Sequence, residues 1–291
     1  MDCITRKAYA KINLGLDVLR RREDGYHEVK MIMQTVDIWD VLTFRRSEVP
    51  GITLTVNREE LPTSKDNLIY RAAELVMQQY EIEDGVIISL EKNIPIAAGM
   101  AGGSTDAAAV FHGLNELFAL EMTLEEMQKL GVKIGADVPY CIMGGTALSE
   151  GIGEILSPLP APPRCVLVVA KPDINVSTKF VYENLHANEL KVHPDIDGMI
   201  EAIKNQSLAG ITERMGNVLE TVTVKEYPII DEIKSLMKQA GAENALMSGS
   251  GPTVFGIFTE EAAAKEAARL IKEKKLAGQV FVTGFYNHTQ G

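Results

Sequence analysis

The sequence is poor in cysteine and in long apolar runs, and each shortage excludes a class of protein. The three cysteines, Cys3, Cys141 and Cys165, are odd in number and fit no metal-binding spacing. Their number and spacing favour reduced thiols in a cytoplasmic protein over a disulfide framework. No apolar run approaches the roughly 18 residues of a transmembrane helix, so no membrane span is expected. Basic residues interrupt the first apolar stretch, and no secretory signal is expected.

Positive charge is also scarce. The chain has 29 Lys and Arg against 40 Asp and Glu, a formal net charge of -11. A broad basic surface for nucleic acid is therefore not expected, and any nucleotide must be met by locally placed cations. The 291 residues suit two domains of ordinary size. A proline-rich stretch, residues 157–163, predicts the boundary between domains 1–157 and 164–291.

The order of strand-like and helix-like segments predicts an α+β protein. The first third is mostly antiparallel strands, with a turn at Asp24-Gly25 between the first two. Helical patterns follow at residues 67–80, where Asp66 is the expected cap, and at residues 105–118. Ile52–Val56 is predicted to be a strand, and Thr123 and Glu126 form a capping box that predicts a helix to about Ile134. Pro139 predicts an extended Val138. Beyond the prolines, strands and helices interleave, which predicts a small α+β domain with an antiparallel sheet.

The strongest functional signal is the glycine-rich segment Pro95–Ala109. Gly99, Gly102 and Gly103 allow the backbone to approach a ligand closely. Ser104 stands where a helix is expected to begin, so that free amides and the positive end of the helix dipole face the segment. This predicts an anion site, most often for phosphate, although a glycine turn before an Ala-rich helix is the simpler alternative. The segment has neither the Lys-Ser/Thr pair of a P-loop nor a Rossmann fingerprint.

Four other features could carry function. Lys11 and Asn13 share one face of the first strand, and Tyr26-His27 follows the Asp-Gly turn directly. Taken alone, Lys11 is better interpreted as a solvated lysine on an edge strand, and His27 as a histidine in a surface loop. Asp137 stands in a short Gly-Ala-Asp-Val-Pro connection, where a carboxylate either caps the backbone or acts in a partly desolvated site. A second glycine loop, residues 247–252, also fits a simple turn.

Three of these stretches together resemble the GHMP kinases (galactokinase, homoserine, mevalonate and phosphomevalonate kinases). Residues 95–109 resemble the phosphate loop of that family. Lys11-Ile-Asn-Leu-Gly-Leu and Gly249-Ser-Gly-Pro-Thr resemble its first and third motifs. The order and spacing fit, and the resemblance covers essentially the whole chain. It implies an N-terminal domain like ribosomal protein S5 domain 2, a ferredoxin-like C-terminal domain, and ATP-dependent phosphorylation of a small alcohol with Mg²⁺.

One branch of the family is matched more closely. Asp24-Gly-Tyr-His, Asn67-Leu68 and Gly135-Ala-Asp-Val-Pro resemble the branch whose alcohol substrate carries cytidine diphosphate. The alternative within the family is a homoserine- or mevalonate-type kinase. Two further alternatives are a kinase-like binding protein without activity, and an RNA-binding role by analogy with the S5-type fold. The sequence gives no indication of the oligomeric state.

The resemblance implies roles for particular residues. Asp137 would be the general base on the substrate hydroxyl, with Lys11 beside it to keep it ionised and to stabilise the transferring phosphoryl group. The ATP phosphates would be held by Pro95, Gly99, Met100, Ala101, Gly102, Gly103, Ser104 and Thr105. Ser104 and Thr105 would offer hydroxyls to a phosphate or Mg²⁺, and Ser104 is the candidate metal ligand. The adenine and ribose side would include Asn67, Leu68 and Lys92. The other substrate would contact Asn13, Tyr26, His27, Asp137, Tyr182, Gly249 and Ser250.

The phosphate loop departs from the family pattern at three positions, Ala101, Thr105 and Asp106. A carboxylate near phosphates would repel them. Asp106 is therefore expected to cap the helix or to lie outside the cleft.

Overall fold

The computed structural model describes residues 3–287, and these residues divide into two compact units that are interleaved in sequence. The first unit takes the described residues up to Ala10, Ile38–Ile94 and Ala101–Met143. The second takes Lys11–Asp37, Pro95–Met100 and the described residues from Gly144 onward. The outermost residues of the two predicted domains, 1–2 and 288–291, lie outside the described residues. The boundary predicted at residues 157–163 stays a prediction.

The strands and helices of the described residues follow in chain order. The strands are β1 (Cys3–Arg21), β2 (His27–Ser47), β3 (Ile52–Val56), β4 (Gly85–Glu91), β5 (Thr146–Gly151), β6 (Ile155–Leu159), β7 (Val166–Lys171), β8 (Gly216–Asn217), β9 (Asn244–Met247), β10 (Val254–Phe258) and β11 (Gln279–Thr283). The helices are α1 (Leu68–Gln79), α2 (Gly102–Phe118), α3 (Leu124–Gly131), α4 (Val138–Met143), α5 (Thr178–Glu183), α6 (Ile196–Lys204), α7 (Leu208–Arg214), α8 (Glu220–Glu226), α9 (Ile229–Gln239) and α10 (Glu261–Glu273).

The first unit is a sheet covered by helices. β4 pairs antiparallel with the later part of β2, from Val41 opposite Glu91 to Ser47 opposite Gly85, and β3 pairs parallel with β4. The pleat turns alternate apolar side chains of these strands towards α1 and α2. A Cβ added at Gly113 would lie 2.6 Å from the Phe44 ring, so glycine lets α2 pack closely on β2.

The second unit contains an antiparallel sheet in the order β11-β7-β10-β9, covered by α9 and α10. This confirms the antiparallel sheet expected after the prolines. The same unit contains β5, which pairs antiparallel with the early part of β2, and β6, which pairs with β5. β8 adds a short parallel pairing to β1 at Gly15 and Gly216. Because β6 runs from Ile155 to Leu159, the first residues of the proline-rich stretch, 157–159, belong to this strand.

Two helix starts differ from the sequence expectation. α1 is capped by Asn67, whose side chain accepts the amide of Ile69, and not by Asp66. α2 begins at Gly102, three residues before the predicted start at Thr105. The reason is that Ala101 adopts a left-handed φ of +55° and its carbonyl accepts the Thr105 amide at 2.9 Å, which closes the first turn.

The connection around Asp137 also differs from expectation. Pro139 predicted an extended Val138, but α4 begins at Val138. Proline is tolerated there because the first turn of a helix needs no amide hydrogen from it. The Asp137 carbonyl accepts the amide of Cys141 at 3.0 Å, which places Asp137 at the helix start. The short elements α7, β8 and α8 have no counterpart in the sequence expectation.

The expectations for cysteines and membrane spans can be compared with the described residues. Within residues 3–287, Cys3, Cys141 and Cys165 form no disulfide. Burial raises the pKa of Cys165 to about 12, which keeps this thiol protonated. Across residues 3–287, none of the helices has the length and hydropathy that a bilayer crossing needs.

Candidate active site

The first half of the phosphate loop, residues 95–100, lies in the second unit and is held from two sides. The Lys11 amide donates to the Met100 carbonyl at 3.1 Å, and the Ser248 hydroxyl donates to the Gly99 carbonyl at 2.9 Å. Gly99 has a φ of +71°, and a Cβ there would lie 2.2 Å from the Ser248 carbonyl oxygen. Only glycine fits this position, because both the backbone conformation and the close approach exclude a side chain. Pro95 and Met100 are buried in the same unit.

The second half of the loop is the start of α2 in the first unit. The amides of Gly102, Gly103 and Ser104 precede the first intrahelical hydrogen bond, which Thr105 makes to Ala101. Ala101 gives the helix no side-chain cap. Three amides and the positive end of a 17-residue helix therefore form a cradle that suits an anion.

The hydroxyl of Thr105 forms a hydrogen bond within the protein. Thr105 is buried, and its Oγ1 donates to the Tyr9 carbonyl at 2.7 Å. The hydrogen of this hydroxyl is therefore already used, and its predicted contact with a phosphate or Mg²⁺ stays a prediction. The hydroxyl of Ser104, which is half-buried in the first turn, remains the candidate.

The predicted adenine-side residues lie next to the glycines of α2. A Cβ at Gly103 would lie 3.5 Å from Leu68 Cδ1, and one at Gly102 would lie 3.0 Å from Lys92 Nζ. The side chain of Asn67 is used locally, since it caps α1 and donates to the Pro62 carbonyl at 2.7 Å. Contacts of Asn67, Leu68 and Lys92 with adenine or ribose stay predictions.

Lys92 is the centre of a buried ionic triad. Its Nζ lies 2.5 Å from Asp40 Oδ2 and 2.5 Å from Asp106 Oδ2, and its side chain is 4% exposed. The other Asp40 oxygen accepts the amides of Asn93 and Ile94, at 2.5 and 2.7 Å. The triad thus joins β2, the segment after β4, and the second turn of α2. The ammonium of Lys92 is already paired with carboxylates, although the sequence suggested a place for it beside the nucleotide.

Asp106 does not cap α2. It is buried in the second turn, and its Oδ1 finds no hydrogen-bond partner within residues 3–287. Burial raises the pKa of Asp106 well above its usual range, and the nearby Lys92 charge opposes that shift only in part. Of the two expected alternatives, the helix cap was wrong, because the carboxyl is directed to the triad. A place outside the cleft stays a prediction.

Lys11 and Asn13 meet on one face of β1, as their spacing predicted. Lys11 Nζ donates to Asn13 Oδ1 at 2.8 Å, and Asn13 Nδ2 approaches Met31 Sδ at 3.2 Å. Both side chains are buried, so the solvated edge lysine that the sequence also allowed is excluded. Asn13 therefore orients the ammonium of Lys11.

Asp137 lies in the first unit, half-buried, at the start of α4. Lys11 lies in the second unit. The predicted neighbourhood of these two side chains stays a prediction.

His27 and Tyr182 form a ring pair within the second unit. The ring centroids are 5.1 Å apart at an interplanar angle of 43°. Burial lowers the pKa of His27, and the positive charge of Arg21 adds to the effect. A neutral imidazole offers one donor and one acceptor nitrogen, which suits the edge of a nucleobase. Tyr26, by contrast, is 59% exposed.

The third motif forms a loop that we call the Gly249 loop, residues 248–251. Gly249 and Gly251 have left-handed φ values of +57° and +87°. Ser250 is buried, and its hydroxyl lies 2.8 Å from the Thr178 hydroxyl at the start of α5. Contacts of Gly249 and Ser250 with substrate stay predictions.

Some residues that shape the site were missed by sequence reasoning. Asp40, Asn217 and Ser248 each hold a segment that carries predicted site residues. The one available signal was a charged residue inside a strand otherwise rich in apolar residues, at Asp40. Asn217 stands in a stretch with no distinguishing pattern. Ser248 lies in the second glycine loop, residues 247–252, but was not itself predicted to hold the phosphate loop.

No group of three or more His, Cys, Asp or Glu side chains within the described part of the chain is arranged to hold a metal ion. A cation at the phosphate cradle would be held mainly by phosphate oxygens and water. Mg²⁺ bound through substrate phosphates has few protein ligands, so the residues present are compatible with it.

The fold and this loop define a class of small-molecule kinase: the chain belongs to the GHMP kinase family. The model for "GHMP kinases N terminal domain" matches residues 67–145, and that for "GHMP kinases C terminal" matches residues 199–275. This confirms the predicted fold, and kinases of the family use ATP as phosphate donor.

Relatives within the family can be named more narrowly. The 4-diphosphocytidyl-2-C-methyl-D-erythritol kinase of Lachnoclostridium phytofermentans is 53% identical over 98% of both chains. A crystal structure of 4-(cytidine 5'-diphospho)-2C-methyl-D-erythritol kinase aligns with a TM-score of 0.83 at 33% identity, covering 98% of this chain and 100% of that one. A homoserine kinase from Cytophaga hutchinsonii aligns with a TM-score of 0.80 at 22% identity, covering 97% and 95%, and shares the fold.

Proposed function

We propose that this chain transfers the γ-phosphoryl group of ATP to the 2-hydroxyl of 4-diphosphocytidyl-2-C-methyl-D-erythritol, in the non-mevalonate route to isoprenoid precursors. The observation that best supports this substrate is the ring pair of His27 and Tyr182. An aromatic face beside a neutral imidazole can stack on a cytosine ring and hydrogen-bond to its edge. The name of the 53% identical relative supports the same substrate.

In this reaction the protein mainly positions the reacting groups and stabilises the charge that develops on the transferring phosphoryl group. The amides of Gly102, Gly103 and Ser104 hold phosphate oxygens. Asp137 accepts the proton of the attacking hydroxyl, and Lys11 stabilises the negative charge of the transferring group. Mg²⁺ neutralises phosphate charge when bound, with Ser104 as the candidate protein ligand.

Each of these groups has a defined setting within its own unit. Lys11 is oriented by its hydrogen bond to Asn13. Asp137 is fixed at the start of α4, where its backbone carbonyl accepts the Cys141 amide. Asn13, Gly249 and Ser250 are proposed to contact the diphosphate or erythritol part of the substrate. The protein is proposed to act in the cytoplasm.

The role of Asp137 is tested by Asp137→Asn. We expect turnover with CDP-methylerythritol, ATP and Mg²⁺ to fall by about 100- to 10,000-fold, because a positioned general base contributes that much. Asp84→Asn is the matched control, since Asp84 is an exposed carboxylate in the same unit. Unchanged turnover in a folded Asp137→Asn variant would contradict the assignment.

The substrate is tested with a panel of alcohols. CDP-methylerythritol should be phosphorylated far better than methylerythritol phosphate, homoserine or mevalonate. Equal rates with and without the cytidine diphosphate would show that the proposed base-binding role of His27 and Tyr182 is wrong. A preference for homoserine or mevalonate would replace the proposed substrate.

A further inference from the structure

Asn217 is a buried residue at the end of β8 whose side chain is fully used. Its Nδ2 donates to the carbonyls of Met247 and Gly249, both at 2.8 Å. Its Oδ1 accepts the amide of Leu219 at 3.0 Å. The amide thus spans the entrance and the first turn of the Gly249 loop, and leaves neither of these two carbonyls unpaired.

The Gly249 loop needs such a support. Two of its residues, Gly249 and Gly251, take left-handed conformations and lose more conformational entropy on ordering than other residues. Next to the loop, Glu220 Oε1 accepts the Met247 amide at 2.8 Å and Glu220 Oε2 pairs with Lys234 at 2.7 Å. The end of β9 is therefore already fixed by Glu220. Asn217 adds a hydrogen bond that fixes the carbonyl of Gly249.

The Gly249 loop in turn contacts the phosphate loop. The Ser248 hydroxyl donates to the Gly99 carbonyl at 2.9 Å. A Cβ added at Gly249 would lie 3.0 Å from the Gly99 carbonyl oxygen. Contacts therefore run without a break from Asn217 through the Gly249 loop to Gly99, and all these residues lie in the second unit.

We propose that Asn217 is a positioning residue for ATP binding: by holding the Gly249 loop, it sets the place of Gly99 in the phosphate loop. This inference rests on the proposed kinase function. Asn217 touches neither reacting group, and its effect is transmitted through Ser248 and Gly249. The alternative is that Asn217 only stabilises the fold.

The substitution Asn217→Asp separates these two roles. It keeps the acceptor for Leu219 but removes both donors and places a carboxylate against two carbonyls. We expect the affinity for a non-hydrolysable ATP analogue, measured by calorimetry on folded protein, to fall by about tenfold or more, since two hydrogen bonds of ordinary strength are lost. Asn205→Asp, at the exposed end of α6, is the control and should bind the analogue as the wild type does.

A double-mutant cycle with Ser248→Ala tests the path of the effect. If Asn217 acts through Ser248, the two substitutions together will weaken analogue binding by less than the product of their separate effects. Purely additive effects would show that Asn217 does not act through this contact, and would overturn the inference.

Other outcomes are equally decisive. If Asn217→Asp lowers the unfolding free energy but binds the analogue normally, its role is structural and the inference is wrong. If Asn217→Asp does not fold, Ser248→Ala alone decides, and unchanged analogue affinity would refute the proposed link to Gly99. If the wild-type protein neither binds the analogue nor phosphorylates CDP-methylerythritol, the proposed function itself fails, whatever the variants do.

Discussion

At the scale of single residues, the buried triad of Lys92, Asp40 and Asp106 departs from a plain apolar core. One ammonium faces two carboxylates, and the three side chains are at most 4% exposed. Such groups are costly to bury, and removing one partner costs more than the pair contributes in place. The triad lies beside Gly102, so it also fixes the residues under the phosphate cradle.

Lys92→Met should therefore be strongly destabilising. We expect the free energy of unfolding in urea to drop by about 3 to 5 kcal/mol, because the buried carboxyl groups of Asp40 and Asp106 lose their cation. Lys129→Met is the control, since Lys129 pairs with Glu125 on the exposed face of α3 and its loss should change little. A Lys92→Met variant as stable as the wild type would mean that the triad is not formed in solution.

Asp106→Asn should change how stability depends on pH. The folded chain keeps the Asp106 proton at pH values where the unfolded chain has released it, because burial raises the pKa of this carboxyl above 3.8. Its contribution is therefore fully present below the unfolded-state pKa and is lost as pH rises through the folded-state pKa.

The unfolding free energy of the wild type, minus that of Asp106→Asn, should fall as pH rises from about 3.8 towards neutrality. Urea titrations at a series of pH values measure this difference. A difference that rises over the same range would mean that the pKa of Asp106 is lowered in the folded protein. Asp84→Asn, at an exposed carboxylate, should give a curve parallel to that of the wild type.

At the scale of single elements, α2 is bounded at both ends by alanines in left-handed conformations. Ala101 has a φ of +55° and Ala119 a φ of +53°. The first sets where the amides of the phosphate cradle begin. The second ends the helix, with its amide donating to the carbonyls of Asn115 and Glu116. Glycine is the usual residue in such a position because it has no Cβ.

Ala119→Gly should accordingly stabilise the protein. We expect a gain of about 0.5 to 1 kcal/mol in the free energy of unfolding, since the left-handed penalty of alanine exceeds the entropy that glycine loses. Ala262→Gly, in the right-handed first turn of α10, is the matched control and should cost up to about 1 kcal/mol. Destabilisation by Ala119→Gly would show that α2 ends differently in solution.

At the scale of the whole molecule, the two compact units cannot be read as consecutive pieces of chain. β1 and β2 each contribute their residues partly to one unit and partly to the other. The phosphate loop is divided in the same way between Met100 and Ala101. Unfolding of either unit therefore breaks strands that the other also uses.

Urea unfolding should for this reason show one transition. Trp39, the single tryptophan, lies in the first unit and reports on it by fluorescence. Far-UV circular dichroism reports on both units. Coincident midpoints are expected, as for a cooperative two-state transition. A second transition in circular dichroism without a change in fluorescence would show that the units unfold independently.

The sequence by itself determined the elements whose signals are local. β3 was predicted with its observed bounds. A short run in which apolar and polar residues alternate, between turn residues, fits few structures other than a strand. The capping box of Thr123 and Glu126 formed as predicted, since its partners are three residues apart. Family motifs that stand in contiguous stretches, such as the glycine-rich segment and Lys11-Ile-Asn, were likewise legible without a structure.

Only the tertiary structure decided the features that join distant parts of the chain. Asp106 was expected to cap its helix or to lie outside the cleft, and the pairing of its carboxyl with a lysine 14 residues away was not predicted. Asn217 showed no signal, because its two acceptors lie 30 and 32 residues further along the chain. Burial and long-range hydrogen bonds have no period and no neighbouring partner in sequence. The positions of these side chains therefore follow from the packing of the strands and helices and could not be predicted from the sequence.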